Sequence, residues 1–347
     1  MRNRALANLS SYRSIALCLL LVSVAAAAPI QAHAQDGNGP AVARSGAVLW
    51  SDPGDIRARD LFYGPGGKEH LPQLPVKFEK EVPEGSNPKF DVVDGQGKKW
   101  RAKVGFEAQP ETVAARLLWA VGFAANENYY FPDVVVTDLP PKLHRGQGFV
   151  HPGGHVSGVR LQKHAGGKDK GKREGTWAWK HNPFVGTREF NGLRVMMAVI
   201  SNWDLTTQNT AIREDREGEE VYEVSDVGSS FGKTGRGWHD ATSKNNPDGY
   251  SKAKFIAKVT PEYVDFSLPT RPPFLFIFDL KMYYEYASAH WIGRHIPRGD
   301  VKWVASLLSQ LSAQQIRDAF RAAGYTPAQI DEYTAALQDR IAKLNQL

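Results

Sequence analysis

Apolar and polar residues alternate in the first third of the chain and then take up a helical period. Residues 77–82 alternate, 90–93 form an apolar run and 100–104 alternate again, so three consecutive strands are predicted. Pro83-Glu84-Gly85-Ser86-Asn87-Pro88 is a turn cluster, and Asp94-Gly95-Gln96-Gly97 is a hairpin signal. A helix follows: Pro110 suits its first position, Glu111 its positive end and Gly122 its stop, with Val113, Leu117, Leu118 and Val121 on one stripe. Residues 134–136 and 156–161 read as two more strands. From 188 to 200 the period is helical, through Phe190, Leu193, Met196, Val199 and Ile200, and 203–209 is a polar loop. Short strands at 211–212 and 221–224 bracket an acidic turn, and the rest is predicted mostly helical. Near the end, Asp300 caps one helix, Ser312 and Gln315 form a capping box for a second that stops at Gly324, and Thr326, Pro327 and Gln329 open a third. The run 274–278 is too short to span a membrane and reads as core. The fold class is α+β.

Composition changes this picture at the N-terminus. Arg2, Arg4 and Arg13 precede an apolar stretch at 14–28 and the small residues Ala32-His33-Ala34, the layout of a cleavable signal peptide over 1–34 with the cut after Ala34. The expected location is periplasmic or secreted, with no transmembrane span in the mature chain. The chain's one cysteine lies in that stretch, so the mature chain is expected to have neither a disulfide nor a cysteine-based zinc site. Loss of three arginines takes the formal charge from +6 to +3, which removes most of the case for nucleic acid. The remaining excess is local: 163–180 is rich in Lys and Gly and reads as a solvated loop. The expected organisation is a disordered lead-in at 35–51, a β-rich part at 52–165, a basic Gly-rich loop at 166–180, a helical part at 181–298 and a helical extension at 299–347.

Two pieces carry chemistry. Asp204-Leu205-Thr206-Thr207-Gln208-Asn209 places Asp and Asn five apart after a long apolar helix, and Ser225-Asp226-Val227-Gly228 places a second Asp at a strand end. Phosphoryl transfer uses such a set: one carboxylate takes the proton of the attacking hydroxyl, an amide oxygen and a second carboxylate hold magnesium, and a strand lysine anchors the phosphates. The order resembles the catalytic loop and metal-binding Asp of protein-kinase-like folds, and above all the HipA-like atypical kinases. There a Gly-x-x-Pro-Lys turn precedes the strand lysine and the loop reads Asn-x-Asp-x-His-x-x-Asn. Here the turn is Gly85-Ser86-Asn87-Pro88-Lys89, and Asn202, Asp204 and Asn209 match the loop, with Thr206 in place of the histidine. The resemblance covers about 75–295. It implies a two-lobed fold with a β-rich N-lobe, a mainly helical C-lobe and extra C-terminal helices, and a secreted kinase-like protein that uses ATP and Mg2+. Asp204 would be the catalytic base, Lys103 the phosphate anchor, Asn209 and Asp226 the metal ligands, and Gly85, Ser86 and Lys89 the turn over the nucleotide. Glu111 is the candidate partner of Lys103, with Glu107 as the alternative. The partners implied are a nucleotide and an unidentified protein or small-molecule hydroxyl acceptor. The stretch Arg188-Glu189-Phe190-Asn191-Gly192-Leu193-Arg194 is also similar to one in uncharacterised secreted bacterial proteins.

Three other readings stand beside this one. A kinase-like or other envelope protein without catalysis would bind only. Gly228-Ser229-Ser230-Phe231-Gly232 fits the nucleophile elbow of a serine hydrolase with Ser230 as nucleophile. His144, His151, His155 and His164 are the start of a metal-hydrolase reading, although they sit in a glycine-rich loop and read as exposed.

Overall fold

The computed structural model describes residues 46–85, 87–164, 173–215, 218–233, 244–268 and 278–347. The signal-peptide stretch 1–34, residues 35–45 of the lead-in, Ser86 and most of the basic loop (165–172) lie outside the described residues. The described chain is a mixed α and β structure. It opens with β1 (Ala47–Val48), two short 3-10 turns, β2 (Val76–Glu81), β3 (Lys89–Val93), β4 (Lys99–Val104) and α1 (Ala108–Ala120). It continues with β5 (Asn128–Thr137), β6 (Val150–His151), β7 (His155–Lys163), β8 (Arg173–Gly175) and α2 (Arg188–Val199). Then come β9 (Thr210–Glu214), β10 (Glu220–Val224), α3 (Pro247–Lys252), β11 (Ile256–Val259), β12 (Tyr263–Phe266), α4 (Leu280–Ala289) and β13 (Ile296–Pro297). Three helices end the chain: α5 (Arg298–Leu308), α6 (Ala313–Ala322) and α7 (Pro327–Asn345).

Strands β2, β3, β4, β7 and β5 close on themselves into a barrel. β3 pairs antiparallel with both β2 and β4, β7 joins β4 to β5, and a short parallel pairing of Val76–Lys77 with Val136–Thr137 completes the ring. The β3–β4 hairpin is set by Asp94, whose carboxylate accepts from the backbone of Gln96 and Lys98, both at 2.9 Å. Gly97 then takes φ +78°, which favours glycine. Strand alternation puts Phe90, Val92, Trp100, Ala102 and Val104 inside the barrel with Val134, Val159 and Leu161. Lys103 therefore falls on the outer face, directly across from Arg160 in the β4–β7 register.

A second core holds α1, α2, the C-terminal helices and the ends of the remaining strands. α1 ends in a Schellman motif: Phe123 N–H donates to Leu118 O at 3.0 Å, Gly122 N–H to Trp119 O at 3.0 Å, and Gly122 has φ +94°. Thr187 caps α2 through Phe190 N–H at 3.2 Å. The predicted capping box of Ser312 with Gln315 is formed, and Thr326 with Gln329, expected to open the last helix, forms a second one.

Several expectations need correction. Part of the lead-in is ordered: β1 pairs with β10, Leu49 is buried, and Trp50 meets Trp303 edge-on at 5.2 Å. The C-terminal part of the basic loop is also built in, because β8 pairs with β9 and Trp177 is buried with its indole donating to Glu223 O at 3.0 Å. The described stretch after 224 is mostly helical, as expected, but it also holds an antiparallel sheet of β11, β12 and β13 that the pattern did not announce. α5 starts at Arg298, and Asp300 accepts from Asn191 Nδ2 at 2.7 Å instead of capping. Phe278 is exposed; residues 274–277 lie outside the described residues. The C-terminal helices are not an appendage, since they share the core with α1 and α2.

Candidate functional site

Two cations face each other across β4 and β7, an arrangement that costs energy unless a carboxylate lies between them. α1 crosses this face and supplies it. Glu111 Oε2 accepts from Lys103 Nζ at 2.9 Å, and its Oε1 from Arg160 Nη2 at 2.8 Å. The seven residues between Lys103 and Glu111 are the end of β4, one tight turn and the start of α1. Glu107 lies one helical turn earlier, so it shares the face and also pairs with Lys103 at 3.0 Å. Asp226, just past β10, adds a third carboxylate at 3.0 Å. The Lys103 ammonium thus has three acid partners while its side chain is only 7% exposed. Burial alone would lower its pKa; Asp226, Glu111 and Glu107 outweigh that and hold it well above the usual lysine range. Against the upward push of burial, Lys103 keeps the Asp226 carboxyl at about 2. For Glu111 burial wins and the carboxyl lies above its usual range.

The loop 202–209 reaches this cluster from the end of α2. Asn202 accepts the Asp204 N–H at 3.0 Å, and Asn209 Nδ2 donates to Asp204 O at 2.8 Å, so Asn202 and Asn209 brace the loop at both ends. The Asn209 carbonyl accepts from Ser225 N–H at 2.8 Å and Asp226 N–H at 3.3 Å, which ties the loop to the Asp226 segment. Burial raises the Asp204 carboxyl above its ordinary value and Asp226 adds to the effect, while the Tyr286 hydroxyl, donating to Oδ1 at 2.7 Å, opposes it. Gly228 N–H donates to Asp226 Oδ1 at 3.2 Å, and a Cβ on Gly228 would lie 2.7 Å from the Glu107 Cβ. Gly228 is needed for close approach.

Of the residues expected from sequence, the structure brings Lys103, Glu111 and Asp226 into direct contact and binds the Asp204–Asn209 loop to them through the backbone. Lys89 lies across from Lys103 in the β3–β4 register, and burial with the neighbouring charges of Lys103 and Arg101 lowers its pKa. Gly85 takes φ +76° at the turn before β3, and Ser86 lies outside the described residues. Sequence reasoning missed Arg160, Lys244, Tyr286 and Asn87. Arg160 carried a signal, a cation within the predicted strand at 156–161, and Asn87 lies in the quoted 85–89 turn without having been singled out. Lys244 and Tyr286 have no local pattern that marks them.

Ser230 is fully buried, its hydroxyl donating to Val227 O at 2.8 Å and accepting from Asn202 Nδ2 at 3.2 Å. That is the setting of a structural hydroxyl, not of an exposed nucleophile. His155 pairs with Asp133 at 2.6 Å and His151 with Ser157 at 3.1 Å, and among the described residues no group of three or more His, Cys, Asp or Glu is arranged to hold a metal ion.

No known family profile matches the chain, and no curated protein matches it in sequence. Among solved structures, the Helicobacter pylori proinflammatory kinase CtkA is similar at a TM-score of 0.45 and 12% identity, over 79% of this chain and 98% of that one. A likeness at that level carries no functional assignment.

Proposed function

We propose that this chain is a two-lobed kinase-like phosphotransferase, with the barrel as one lobe and the helical core as the other. It binds ATP and magnesium at the Lys103–Asp226 cluster and moves a phosphoryl group to a hydroxyl acceptor. One observation carries this reading: a buried lysine on a barrel strand is bonded both to a glutamate of the next helix and to an aspartate of the loop that follows β10. The donor set suits magnesium, because Asn209 and Asp226 offer hard oxygen ligands and are joined through the Asn209 carbonyl. Bound there, magnesium would shield the nucleotide phosphates. Glu111 and Arg160 fix the Lys103 amine, which anchors phosphate oxygens as a point charge. Asp204 accepts the proton of the acceptor hydroxyl, and Tyr286 holds that carboxylate in one orientation. Gly85 and Lys89, on either side of the turn before β3, would lie over the nucleotide.

A thermal-shift titration tests the reading. ATP with magnesium is expected to stabilise the wild type by about 2.7 kcal/mol at 100 times the dissociation constant. Asp226→Ala is expected to lose that gain, and a wild type that no ATP concentration stabilises would end the nucleotide proposal. We also place the mature chain outside the inner membrane, with Gln35 first. Among the described residues no helix is long and apolar enough to cross a membrane. Mass spectrometry of the exported protein reads the cut directly.

A further inference from the structure

Glu107 occupies the N-cap position of α1, yet its side chain caps nothing. A carboxylate at that position ordinarily accepts from the first free helix N–H groups. This one turns away and collects three donors from three separate parts of the chain: Asn87 Nδ2 of the turn before β3, Lys103 Nζ of β4 at 3.0 Å and Lys244 Nζ at 2.6 Å. Only 6% of its side chain is exposed. The charge of Lys103 outweighs burial and keeps the carboxyl ionised below its ordinary value, and Lys244 adds to this. Two ammonium groups and an amide N–H around one pair of anionic oxygens are the donor set that a phosphate group takes. The Lys244 ammonium also lies 5.8 Å from the centre of the Trp203 ring, in the residue before Asp204. The subsite therefore lies beside the loop that the proposed chemistry uses.

We propose that Asn87, Lys103 and Lys244 form a phosphate subsite, and that Glu107 fills it in the free protein as an internal, displaceable anion. The inference rests on the nucleotide reading above and goes beyond it, by assigning Asn87 and Lys244 to the phosphates and Glu107 to the resting state. Gly228 fits this role. With no Cβ against the Glu107 stem, it leaves the side chain packed closely on the Asp226 turn without a covalent or steric lock.

Isothermal titration with two probes, ATP with magnesium and inorganic tripolyphosphate, tests it on the wild type, Glu107→Gln and Lys244→Met. Glu107→Gln removes the competing charge but keeps the side chain's size, so both probes are expected to bind at least about tenfold tighter, worth about 1.4 kcal/mol. Lys244→Met is expected to weaken both by a similar factor. Unchanged or weaker binding of Glu107→Gln, with a native circular dichroism spectrum, overturns the proposal. If Glu107→Gln does not fold, Lys244→Met decides: unchanged tripolyphosphate affinity overturns the proposal and a loss supports it. The two readings separate cleanly. Equal ATP affinity in all three proteins removes the internal anion and leaves the nucleotide site. Tighter tripolyphosphate with no ATP binding in any protein keeps the subsite and removes the nucleotide. No binding of either probe to any of them overturns both.

Discussion

At the scale of single residues, the balance of charge around Lys103 decides what each group can do. Asp204 is an acid whose folded pKa is raised by burial, so its contribution to stability is present below the unfolded value and is lost as pH rises through the folded one. Asp204→Asn is therefore expected to keep or raise the melting temperature at neutral pH while lowering phosphoryl transfer by about 10²- to 10⁴-fold. A rate within twofold of wild type would remove Asp204 from the mechanism. Tyr286→Phe deletes the donor that opposes the upward shift, so the acidic limb of the pH–rate profile is expected to move to higher pH. Asp226 has the opposite sign. Its carboxyl, held at about 2, contributes stability that is present above the unfolded value near 4 and is lost as pH falls towards about 2. Lys103→Met removes the partner of that carboxylate and leaves Glu111 and Glu107 buried beside fewer cations. It is expected to cost about 3–5 kcal/mol and to move acid unfolding to higher pH in a denaturation series. The spacing of Asp204, Asn209 and Asp226 and the strand position of Lys103 were legible in the sequence, whereas Glu111 and Glu107 stood as alternatives and the structure pairs both with Lys103. Tyr286 and Lys244 were not legible, since each reaches the cluster only through a tertiary contact.

At the scale of elements, local signals were read well where the physics is local. The Asp94 hairpin, the Gly122 stop, and the boxes at Ser312 and Thr326 depend on residues within a few positions of one another, and all are formed. Two short strands whose pairing partners are distant were missed: β8 gains its hydrogen bonds from β9 and β13 from β12. The Ser312 box also has a second use. Gln315 closes the box with Oε1, which accepts from Ser312 N–H at 3.0 Å, while its Nε2 donates to Ile56 O at 2.8 Å, Arg59 O at 2.9 Å and Arg57 O at 3.3 Å, and so joins α6 to the segment before β2. Thr326→Ala removes a cap alone and is expected to cost about 1 kcal/mol. Gln315→Ala removes the box and the long-range contacts to Ile56, Arg57 and Arg59, so chemical denaturation is expected to show a larger loss, about 2–3 kcal/mol. Equal losses in the two variants would mean that the contacts to Ile56 and Arg59 add nothing.

At the scale of the whole molecule, the features that sequence patterns could not show are the ones that hold the loop in place. Barrel closure joins Val76 to Val136, a parallel pairing across several intervening elements that no period announces. The C-terminal helices read as an extension because their stripes say only that they are buried, not against what. In the structure α7 carries Arg340 into the core, where Nη1 donates to Ala198 O and Val199 O, both at 3.0 Å, and to Ser201 Oγ at 2.7 Å. Nη2 donates to Tyr250 O at 3.0 Å, and the guanidinium stacks on the Tyr250 ring at 3.8 Å. One side chain thus satisfies the carbonyls at the end of α2, immediately before Asn202 and Asp204, and Ser201 there holds a strained φ of +52°. Arg340→Met keeps the apolar stem but removes all four bonds, leaving Val199 O with the Tyr250 hydroxyl and Ala198 O with the Ser201 N–H, at an expected cost of about 2–3 kcal/mol. Arg340→Lys is expected to recover little, because a single ammonium cannot reproduce a planar fork that reaches four oxygens. Hydrogen exchange of the backbone amides at Ser201 and Asn202 reports the second consequence: if α7 holds the loop, they exchange faster in Arg340→Met than the drop in global stability accounts for. Exchange that tracks global stability alone would make the helix a source of core burial and nothing more, and the position of Asp204 would then depend on its bonds to Asn202, Asn209 and Tyr286.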